Sequence, residues 1–375
     1  MKIGILTQPL SYNYGGLLQA WALQTTLERM GHEVIILNRV FGSERGILVN
    51  ILSYVKNKLL DILPIRKRYL TEFDYGFIMQ DILPFVRKYH KKSHDLHNTR
   101  ELKKYAKKQK FDAFVVGSDQ CWRPRLSPNI KNYYLDFTNG WDVKRISYAA
   151  SFGVDYWEYS TELTLECARL VKDFNAISVR EQSGVVLCKQ YLGIKAEHVI
   201  DPTLLLDKED YIQLVKNEHE PQIEGNLFCY LLDTDELKEH CVNRVANVMG
   251  FTPCYCMSQL KLTFENYLRN KNACIFPSVT KWIRCFMDSA MVVTDSFHGT
   301  VFSIIFNKPF WVLGNKARGM ARFYSLLSIF GLEDRLVEPE MLIDTDYSRP
   351  IDWTRVNEIR RTRKEQALRY LITNL

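Results

Sequence analysis

The stretch from Met291 to Asn315, MVVTDSFHGTVFSIIFNKPFWVLGN, decides the fold class of this chain. Its first residues, MVV, are apolar and mostly β-branched, which is typical of a buried strand, and TDS then supplies a strand end and a helix N-cap. An apolar helix is predicted over 300–306, and the next buried strand over 310–313, after NKP ends the helix. The stretch therefore predicts a strand, a loop, a helix and a second strand, with His298 at the helix entrance.

His298 stands where a helix N-terminus can bind an anion. The first backbone N–H groups of a helix have no helical partner and the helix dipole is positive there, so a phosphate or carboxylate is stabilised at this point. An imidazole also titrates near neutral pH and transfers protons. The alternative is a histidine that only caps its own helix.

The rest of the chain repeats the same alternation. Predicted strands alternate with amphipathic helices in both halves, which indicates parallel, doubly wound sheets. A length of 375 residues suggests two domains. The predicted strands cover 2–6, 34–37, 111–116, 145–150, 176–179, 198–201, 227–232, 252–257, 291–293 and 310–313.

Polar side chains follow one of the predicted strands in the first half. Ser118, Asp119 and Gln120 come after the strand over 111–116, and ligands of open α/β sheets bind at such carboxyl ends. Asp119 is a candidate to take a proton from a sugar hydroxyl, or only to accept a hydrogen bond from it. Trp122 follows as a platform for a sugar face, and the alternative is a Trp that closes the domain core.

Two further features of the first half are candidate ligand contacts. The loop over 11–16 contains Gly15 and Gly16, which would let a ligand approach the backbone, although a tight turn explains them equally well and GxGxxG is absent. Arg180 comes at the end of the strand over 176–179 and presents a fork suited to carboxylate or phosphate. A structural salt bridge is the plain alternative for this arginine.

Short motifs spread along the chain resemble those of the polysaccharide pyruvyl transferase family. The central motif is SFHG at 296–299 after a hydrophobic strand, followed by NKP at 307–309. Their order and their spread from residue 13 to about 335 make the resemblance specific. The other motifs are NYGG at 13–16 with Gln19, GSDQ at 117–120 with Trp122, SYAASFG at 147–153, SVRE at 178–181 and DPT at 201–203.

The resemblance implies two Rossmann-like doubly wound domains that face a cleft, the arrangement known as GT-B. We assign residues 1–203 to an N-terminal α/β domain on the acceptor side, with a basic helical insertion over 41–110. Residues 204–350 form a C-terminal α/β domain on the donor side, and residues 351–375 form a C-terminal helix. The implied enzyme moves the carboxyvinyl unit of phosphoenolpyruvate onto two hydroxyls of one sugar of a surface or capsular polysaccharide precursor. This transfer forms a cyclic pyruvate ketal and releases phosphate.

The resemblance also assigns roles to individual residues. His298 would be the general acid and base, and Arg180 matches an arginine associated with donor binding. Many family members carry an arginine where this chain has Ser296, so we expect Arg318 or Arg322 to supply the missing positive charge. The other predicted site residues are Asp119, as a catalytic group, and, as substrate contacts, Asn13, Tyr14, Gly15, Gly16, Gln19, Ser118, Gln120, Trp122, Ser296 and Gly299.

The positive charge of the chain is regional. Between Phe41 and Lys110 there are 16 Lys and Arg against 7 Asp and Glu, whereas the whole chain has a formal charge of +7. Residues 47–68 combine a basic amphipathic helix with the triplet RKR, a pattern that binds anionic membrane surfaces or simply packs on its own domain. A lipid-linked acceptor would favour peripheral contact with the inner membrane. No nucleic-acid-binding module accompanies the charge, so nucleic acid is the least favoured partner.

Composition limits the other classes of function. Nine cysteines without a CxxC pair or a metal-ligand spacing indicate reduced thiols in a cytoplasmic protein, and the N-terminus predicts a first strand rather than a signal peptide. No apolar run approaches the ~20 residues of a membrane span. The predicted reaction needs no metal and no cofactor, with phosphoenolpyruvate as donor substrate. The alternatives are a GT-B glycosyltransferase that uses a nucleotide sugar and a non-catalytic carbohydrate-binding relative.

Overall fold

The computed structural model describes residues 1–42, 70, 72–314, 319–342 and 345–375. These residues form two parallel sheets with helices around them, so the predicted α/β class with two Rossmann-like halves is confirmed. The predicted basic segment over 47–68 and Arg318 lie outside the described residues. Within the described ranges, no helix is both long enough and apolar enough to cross a membrane.

Six parallel strands form the first sheet. They are β1 Lys2–Leu6, β2 Glu33–Ile36, β3 Ala113–Val116, β4 Lys144–Ala150, β5 Ala176–Val179 and β6 Glu197–His198. Their order is β2-β1-β3-β4-β5-β6, so the chain adds β2 on one side of β1 and β3 on the other. Every residue of β3 is buried, because a parallel sheet is covered on both faces, and this is why its sequence is an unbroken apolar run.

The described residues of the first half contain six α-helices. They are α1 Tyr14–Arg29, α2 Glu72–Ile78, α3 Leu83–Tyr89, α4 Thr99–Gln109, α5 Thr161–Leu170 and α6 Gln182–Leu187. Asn13 caps α1, because its side chain accepts a hydrogen bond from the backbone N–H of Gly16 (3.2 Å). Asn98 caps the Lys-rich α4 in the same way by accepting from the N–H of Glu101 (2.9 Å). The polar residues of the glycine loop therefore start a helix as well as a turn.

Five parallel strands form the second sheet. They are β7 Leu227–Tyr230, β8 Pro253–Cys254, β9 Met291–Thr294, β10 Phe310–Leu313 and β11 Leu336–Val337. Their order is β11-β10-β9-β7-β8. The strand predicted over 252–257 shrinks to β8 at the sheet edge, where Pro253 has no N–H to donate to a ladder. Helices α7 to α13 of this half are Lys208–Asn217, Glu236–Met249, Phe264–Arg269, Val279–Asp288, Phe297–Ile305, Ala321–Phe330 and Pro339–Leu342.

The last helix, α14 (Trp353–Asn374), leaves the second half and packs on the first. The hydroxyl of Tyr370 donates a hydrogen bond to the backbone carbonyl of Ser147 in β4 (2.8 Å). Lys144 at the start of β4 donates to the carbonyl of Leu375 (2.6 Å). The chain therefore passes between the halves twice, once after β6 and once before α14.

Each sheet has a topological switch point. In the first sheet the chain adds strands on opposite sides of β1, so the switch point lies beyond the carboxyl ends of β1 and β3. In the second sheet it adds β8 on one side of β7 and β9 on the other, so the switch point lies beyond the carboxyl ends of β7 and β9. Ligands of open α/β sheets bind at such points. The segments at these two points are 7–16, 117–123, 231–235 and 295–299.

Candidate active site

The imidazole of His298 lies at the seam between the two halves. It stands in the first turn of α11, whose N-cap is Ser296, and the Ser296 hydroxyl accepts a hydrogen bond from the N–H of Gly299 (3.3 Å). Ser296 therefore caps the helix, and a merely capping role for His298 is wrong. The residue is 6% exposed, and its Nε2 lies 3.5 Å from Oδ2 of Asp201 in the first half. Its Nδ1 faces Gly15 of α1, so the ring touches two segments of the opposite domain.

Gly15 is the residue that leaves room for the imidazole. A Cβ at this position would lie 2.1 Å from Nδ1 and 2.2 Å from Cγ of His298, closer than real atoms approach. The next glycine is different, since a Cβ at Gly16 would lie 3.1 Å from Nδ2 of the exposed Asn13 side chain. Contact between the two halves therefore requires glycine at position 15 but not at position 16.

We expect Gly15→Ala to lower the rate of a reaction that depends on His298 by about 10- to 100-fold, because a displacement of about 1 Å at a reacting group has an effect of this size. The new methyl group must move the His298 ring or separate the two halves. Initial rates at saturating substrates would measure the loss. Gly16→Ala is the matched control, since it adds the same methyl group and the same helix propensity one residue later. Equal rates for the two variants would show that His298 does not need its observed position.

Asp201 and Asp119 hold the guanidinium of Arg180 between them. Arg180 Nη1 is 2.8 Å from Oδ2 of Asp201, and Nη2 is 3.3 Å from Oδ1 of Asp119. All three side chains are buried. Thr203 also donates to Oδ1 of Asp201, from its N–H (3.0 Å) and its hydroxyl (2.7 Å). The salt bridge that was the plain alternative for Arg180 is therefore present, and it lies beside His298.

The carboxylate of Asp201 stays charged in this environment. Burial by itself raises the pKa of Asp201, but His298 and Arg180 outweigh burial and hold that pKa well below its usual range. A charged acceptor 3.5 Å from Nε2 of His298 favours the tautomer with its proton on Nε2, which leaves Nδ1 as the basic nitrogen. The two residues form a carboxylate and histidine pair of the kind that orients a catalytic imidazole.

A second arginine approaches the same point from the other half. Cζ of Arg180 lies 4.3 Å from the centroid of the Phe297 ring, and Cζ of Arg322 lies 5.8 Å from that centroid. Burial and the nearby Arg180 lower the pKa of Arg322 to about 10, so this guanidinium remains protonated at neutral pH. Two buried guanidiniums therefore flank the Phe297 ring, and that of Arg180 is also paired with the carboxylates of Asp119 and Asp201.

Gln19 and Ser118 connect the segments at the first switch point through hydrogen bonds. Gln19 donates from Nε2 to the hydroxyl of Thr7 (2.8 Å) and accepts at Oε1 from the N–H of Ser118 (3.1 Å). The Thr7 hydroxyl in turn donates to the carbonyl of Ser118 (2.9 Å). Gln19 and Ser118, which we predicted to contact substrate, are both fully buried. Their role is therefore corrected from binding substrate to positioning the neighbouring Asp119.

Two aromatic residues that we predicted as substrate contacts are core residues. Trp122 is fully buried, stacks on Tyr134 at 5.1 Å between ring centroids, and donates from Nε1 to the carbonyl of Tyr133 (2.9 Å). Tyr14 is also fully buried, stacks on Trp282 of the second half at 5.7 Å, and donates to the carbonyl of Pro277 (2.8 Å). Neither ring has a face for a sugar, so the platform interpretation of Trp122 is wrong.

The remaining predicted contacts differ in accessibility. Asn13 is exposed, whereas Gln120 is half-buried and accepts at Oε1 from Arg123 (3.1 Å). Gly299 is buried, and a Cβ at this position would lie 2.3 Å from Oγ1 of Thr294. Glycine is therefore needed here for the packing of α11 on β9 rather than for a ligand. In the described part of the chain, no group of three or more His, Cys, Asp or Glu is arranged to hold a metal ion.

The sequence analysis missed two carboxylates of the site. Asp201 was noted only as part of the DPT motif, although a carboxylate directly after a predicted strand meets the rule used for Asp119. Asp295 follows β9 and anchors the loop after β7, since it accepts from the N–H of Leu232 (2.7 Å) and from Nζ of Lys238 (2.7 Å). The partners of both carboxylates are distant in sequence, so their roles were visible only in the fold.

Comparisons with known proteins agree with this geometry. The family described as "Polysaccharide pyruvyl transferase" matches residues 13–317 of the chain. Among solved structures, Arabidopsis thaliana UGT89C1 complexed with UDP-L-rhamnose has a TM-score of 0.53 at 9% identity, with 99% of this chain and 98% of that chain covered. UDP-GlcNAc 2-epimerase from Methanocaldococcus jannaschii has a TM-score of 0.51 at 12% identity, with 100% of both chains covered. The GT-B fold is thereby confirmed. No curated protein matches the sequence.

Proposed function

Because the chain belongs to the polysaccharide pyruvyl transferase family, we propose that it transfers the pyruvyl group of phosphoenolpyruvate to a sugar of a surface or capsular polysaccharide precursor. The product would be a cyclic pyruvate ketal across two hydroxyls of one sugar. The observation that carries the proposal is the contact of His298 with both Asp201 and Gly15 across the seam. It provides an oriented proton-transfer group where the two domains meet.

The proposed reaction balances without a redox partner. The oxygen of one sugar hydroxyl bonds to C2 of phosphoenolpyruvate while C3 takes up a proton and becomes a methyl group. The oxygen of the second hydroxyl then bonds to C2 as the bond between C2 and the phosphate oxygen breaks. Of the two hydroxyl protons, one balances the proton gained at C3 and the other leaves with phosphate.

Each step has a candidate group in the site. His298 donates the proton to C3 and takes one from a hydroxyl, while Asp201 fixes Nε2 and stabilises the imidazolium form. Arg180 and Arg322 are the cations for the phosphate and the carboxylate of the donor. Asp119, which lies at the carboxyl end of β3 and pairs with Arg180, is the candidate group to accept a hydrogen bond or a proton from the acceptor hydroxyl.

Arg322 supports donor binding at a site whose helix begins with serine instead of arginine. We expect Arg322→Ala to weaken the binding of phosphoenolpyruvate by about 10- to 150-fold, since a hydrogen bond to a charged group contributes about 1.5–3 kcal/mol. Isothermal titration calorimetry with phosphoenolpyruvate measures this change. Arg361→Ala, an exposed arginine of α14, is the control and should bind as the wild type does.

Arg318 is the other candidate for the same charge and is tested with the same titration. A loss of affinity in Arg318→Ala alone would transfer the role from Arg322 to Arg318. If both variants bind phosphoenolpyruvate with unchanged affinity, neither arginine replaces the missing cation and that part of the proposal is wrong.

Phosphate release tests the proposed reaction. The purified protein is mixed with phosphoenolpyruvate and a panel of bacterial saccharides, and free phosphate is measured with and without each saccharide. UDP-glucose and UDP-N-acetylglucosamine are assayed in parallel for release of UDP. Phosphate release that requires a saccharide supports the proposal. Release of UDP alone identifies a nucleotide-sugar transferase, and saccharide binding without either product identifies a non-catalytic relative.

A lipid-linked acceptor would connect this reaction to the basic segment over 47–68. Its charge suits the anionic surface of the inner membrane, to which the protein would bind peripherally from the cytoplasm. Cosedimentation with vesicles that contain anionic lipid, compared with neutral vesicles, measures this contact.

A further inference from the structure

The loop between β1 and α1 and the first residues of α1 run along the seam between the two halves. Three residues of this segment each touch a different part of the second half. Tyr12 stacks on Phe276 at 4.8 Å between ring centroids, Tyr14 packs on Trp282, and Gly15 meets the ring of His298. The loop therefore leads from Tyr12 directly to the candidate catalytic histidine.

At the outer end of this loop, three rings from separate segments form an aromatic ledge, defined here as Tyr12, Tyr75 of α2 and Phe276. The Tyr12 and Tyr75 rings are parallel within 2°, with centroids 6.4 Å apart. Phe276 is buried and supports Tyr12 from below, and its N–H donates to the carbonyl of Ile78 at the end of α2 (3.0 Å). The rings are therefore held in place by both halves of the protein.

The ledge differs from a core cluster in its exposure. Tyr12 is 36% exposed and Tyr75 is 38% exposed, whereas Trp122 and Tyr14 are fully buried. A tyrosine presents a flat apolar face and a polar tip, which suits a ligand with one apolar face and many hydroxyls. Grouped exposed rings of this kind mark binding surfaces.

Asn13 adds a polar group next to the ledge. It is exposed, and its Oδ1 accepts from the N–H of Gly16 (3.2 Å). Its Nδ2 makes no hydrogen bond to the described residues, so this donor is available to a hydroxyl or ring oxygen. An aromatic face beside an amide is the chemistry that recognises a saccharide.

The distance from the ledge to His298 limits what occupies it. Tyr12 and Gly15 are three residues apart, so their Cα atoms are at most about 10 Å from each other even in an extended chain. Gly15 touches His298. An oligosaccharide that lies on the ledge is therefore long enough to extend toward His298.

We propose that the aromatic ledge binds the acceptor saccharide, through a sugar ring adjacent to the one that receives the pyruvyl group. This inference rests on the proposed function and deepens it, because it makes the acceptor an oligosaccharide rather than a free monosaccharide. Tyr12 supplies the stacking face, Tyr75 extends it, and Asn13 donates to a hydroxyl. The ledge would therefore provide the stacking surface for a sugar that the sequence analysis had assigned to Trp122.

The test measures the binding of the full-length protein to a printed array of bacterial capsular and cell-surface oligosaccharides. The strongest array ligand is then titrated by calorimetry. We expect Tyr12→Ala to weaken its binding by about 2- to 12-fold, the range that an aromatic contact contributes, and Tyr12→Phe to retain it. Phe73→Ala, which removes a more exposed ring of α2 outside the ledge, is the matched control and should bind as the wild type does.

Three results would contradict the proposal that the ledge binds the acceptor saccharide. These are the absence of any array ligand for the wild type, unchanged affinity in both Tyr12→Ala and Tyr75→Ala, and an equal loss in Phe73→Ala. Affinity for phosphoenolpyruvate, measured on the same samples, separates this inference from the proposed function. Saccharide binding that depends on Tyr12, without binding of phosphoenolpyruvate by the wild type, would uphold the ledge and reject the pyruvyl donor. Unchanged thermal unfolding of the variants shows that the fold is retained.

Discussion

His298→Ala is expected to lower the rate of phosphate release from phosphoenolpyruvate by about 10²- to 10⁴-fold, the range over which a positioned acid or base accelerates a reaction. The variant lacks the group that protonates C3 and takes the hydroxyl proton in the proposed reaction. Affinity for phosphoenolpyruvate should change little, because the arginines remain in place. Phosphate release with the best saccharide of the panel and calorimetry with phosphoenolpyruvate measure the two quantities separately.

Two further variants place this prediction in its structural context. His240→Ala removes an exposed histidine of α8 that is not among the residues proposed for the site, and it should leave the rate unchanged. Asp201→Asn should lower the rate in the same direction as His298→Ala, because an amide neither stabilises the imidazolium nor favours the proton on Nε2. A His298→Ala enzyme that releases phosphate at the wild-type rate would contradict the proposed role of the imidazole.

Arg180→Met is expected to reduce the free energy of unfolding by about 3–5 kcal/mol at pH 7, because it leaves buried carboxylates without their cation. In the wild type, Asp201 has a lowered pKa, so its ionised form stabilises the fold above the unfolded pKa of about 3.9, and this stabilisation is lost as the pH falls below that value. In the variant, burial is no longer opposed by Arg180 although His298 remains, so the pKa of Asp201 is higher than in the wild type and acid relieves part of the destabilisation. The difference between variant and wild type should therefore shrink between pH 7 and pH 4.5.

Urea unfolding at the two pH values measures this effect, and Arg123→Met provides the comparison. Arg123 is also buried, but its partner Glu158 keeps 18% of its side chain exposed and can be solvated when the arginine is lost. We therefore expect a smaller loss of stability in Arg123→Met and less dependence on pH. If Arg180→Met is as stable as the wild type at pH 7, the ion cluster does not stabilise the fold as the distances indicate.

The location of the site explains why both halves are needed for it. His298 and Arg322 come from the second half, whereas Asp201, Arg180 and Gly15 come from the first. Neither half alone contains an oriented imidazole together with both guanidiniums. Changes in the angle between the halves would therefore alter the site directly, and Gly15→Ala is the smallest such change that the contacts suggest.

Much of the fold could be predicted from the sequence, because it depends on local patterns. The strands Ala176–Val179 and Phe310–Leu313 have the predicted bounds, since a parallel strand covered on both faces is a continuous apolar run between polar breaks. The helix start at Ser296 was predicted from a local capping signal, and it places His298 in the first helical turn. The position of a polar residue after a strand also directed attention to Asp119.

The amino-acid sequence was sufficient for the alternation of strands and helices and for the place of His298 at a helix start, because periodicity and caps act between near neighbours. The GT-B class followed from the resemblance of its motifs to those of a known family. The packed structure was needed to show that Asp201 lies beside His298, that Trp122 is buried in the core and that Tyr12 is partly exposed. These outcomes depend on how two sheets far apart in sequence face each other, since burial and pairing are properties of the packed chain and not of any one segment.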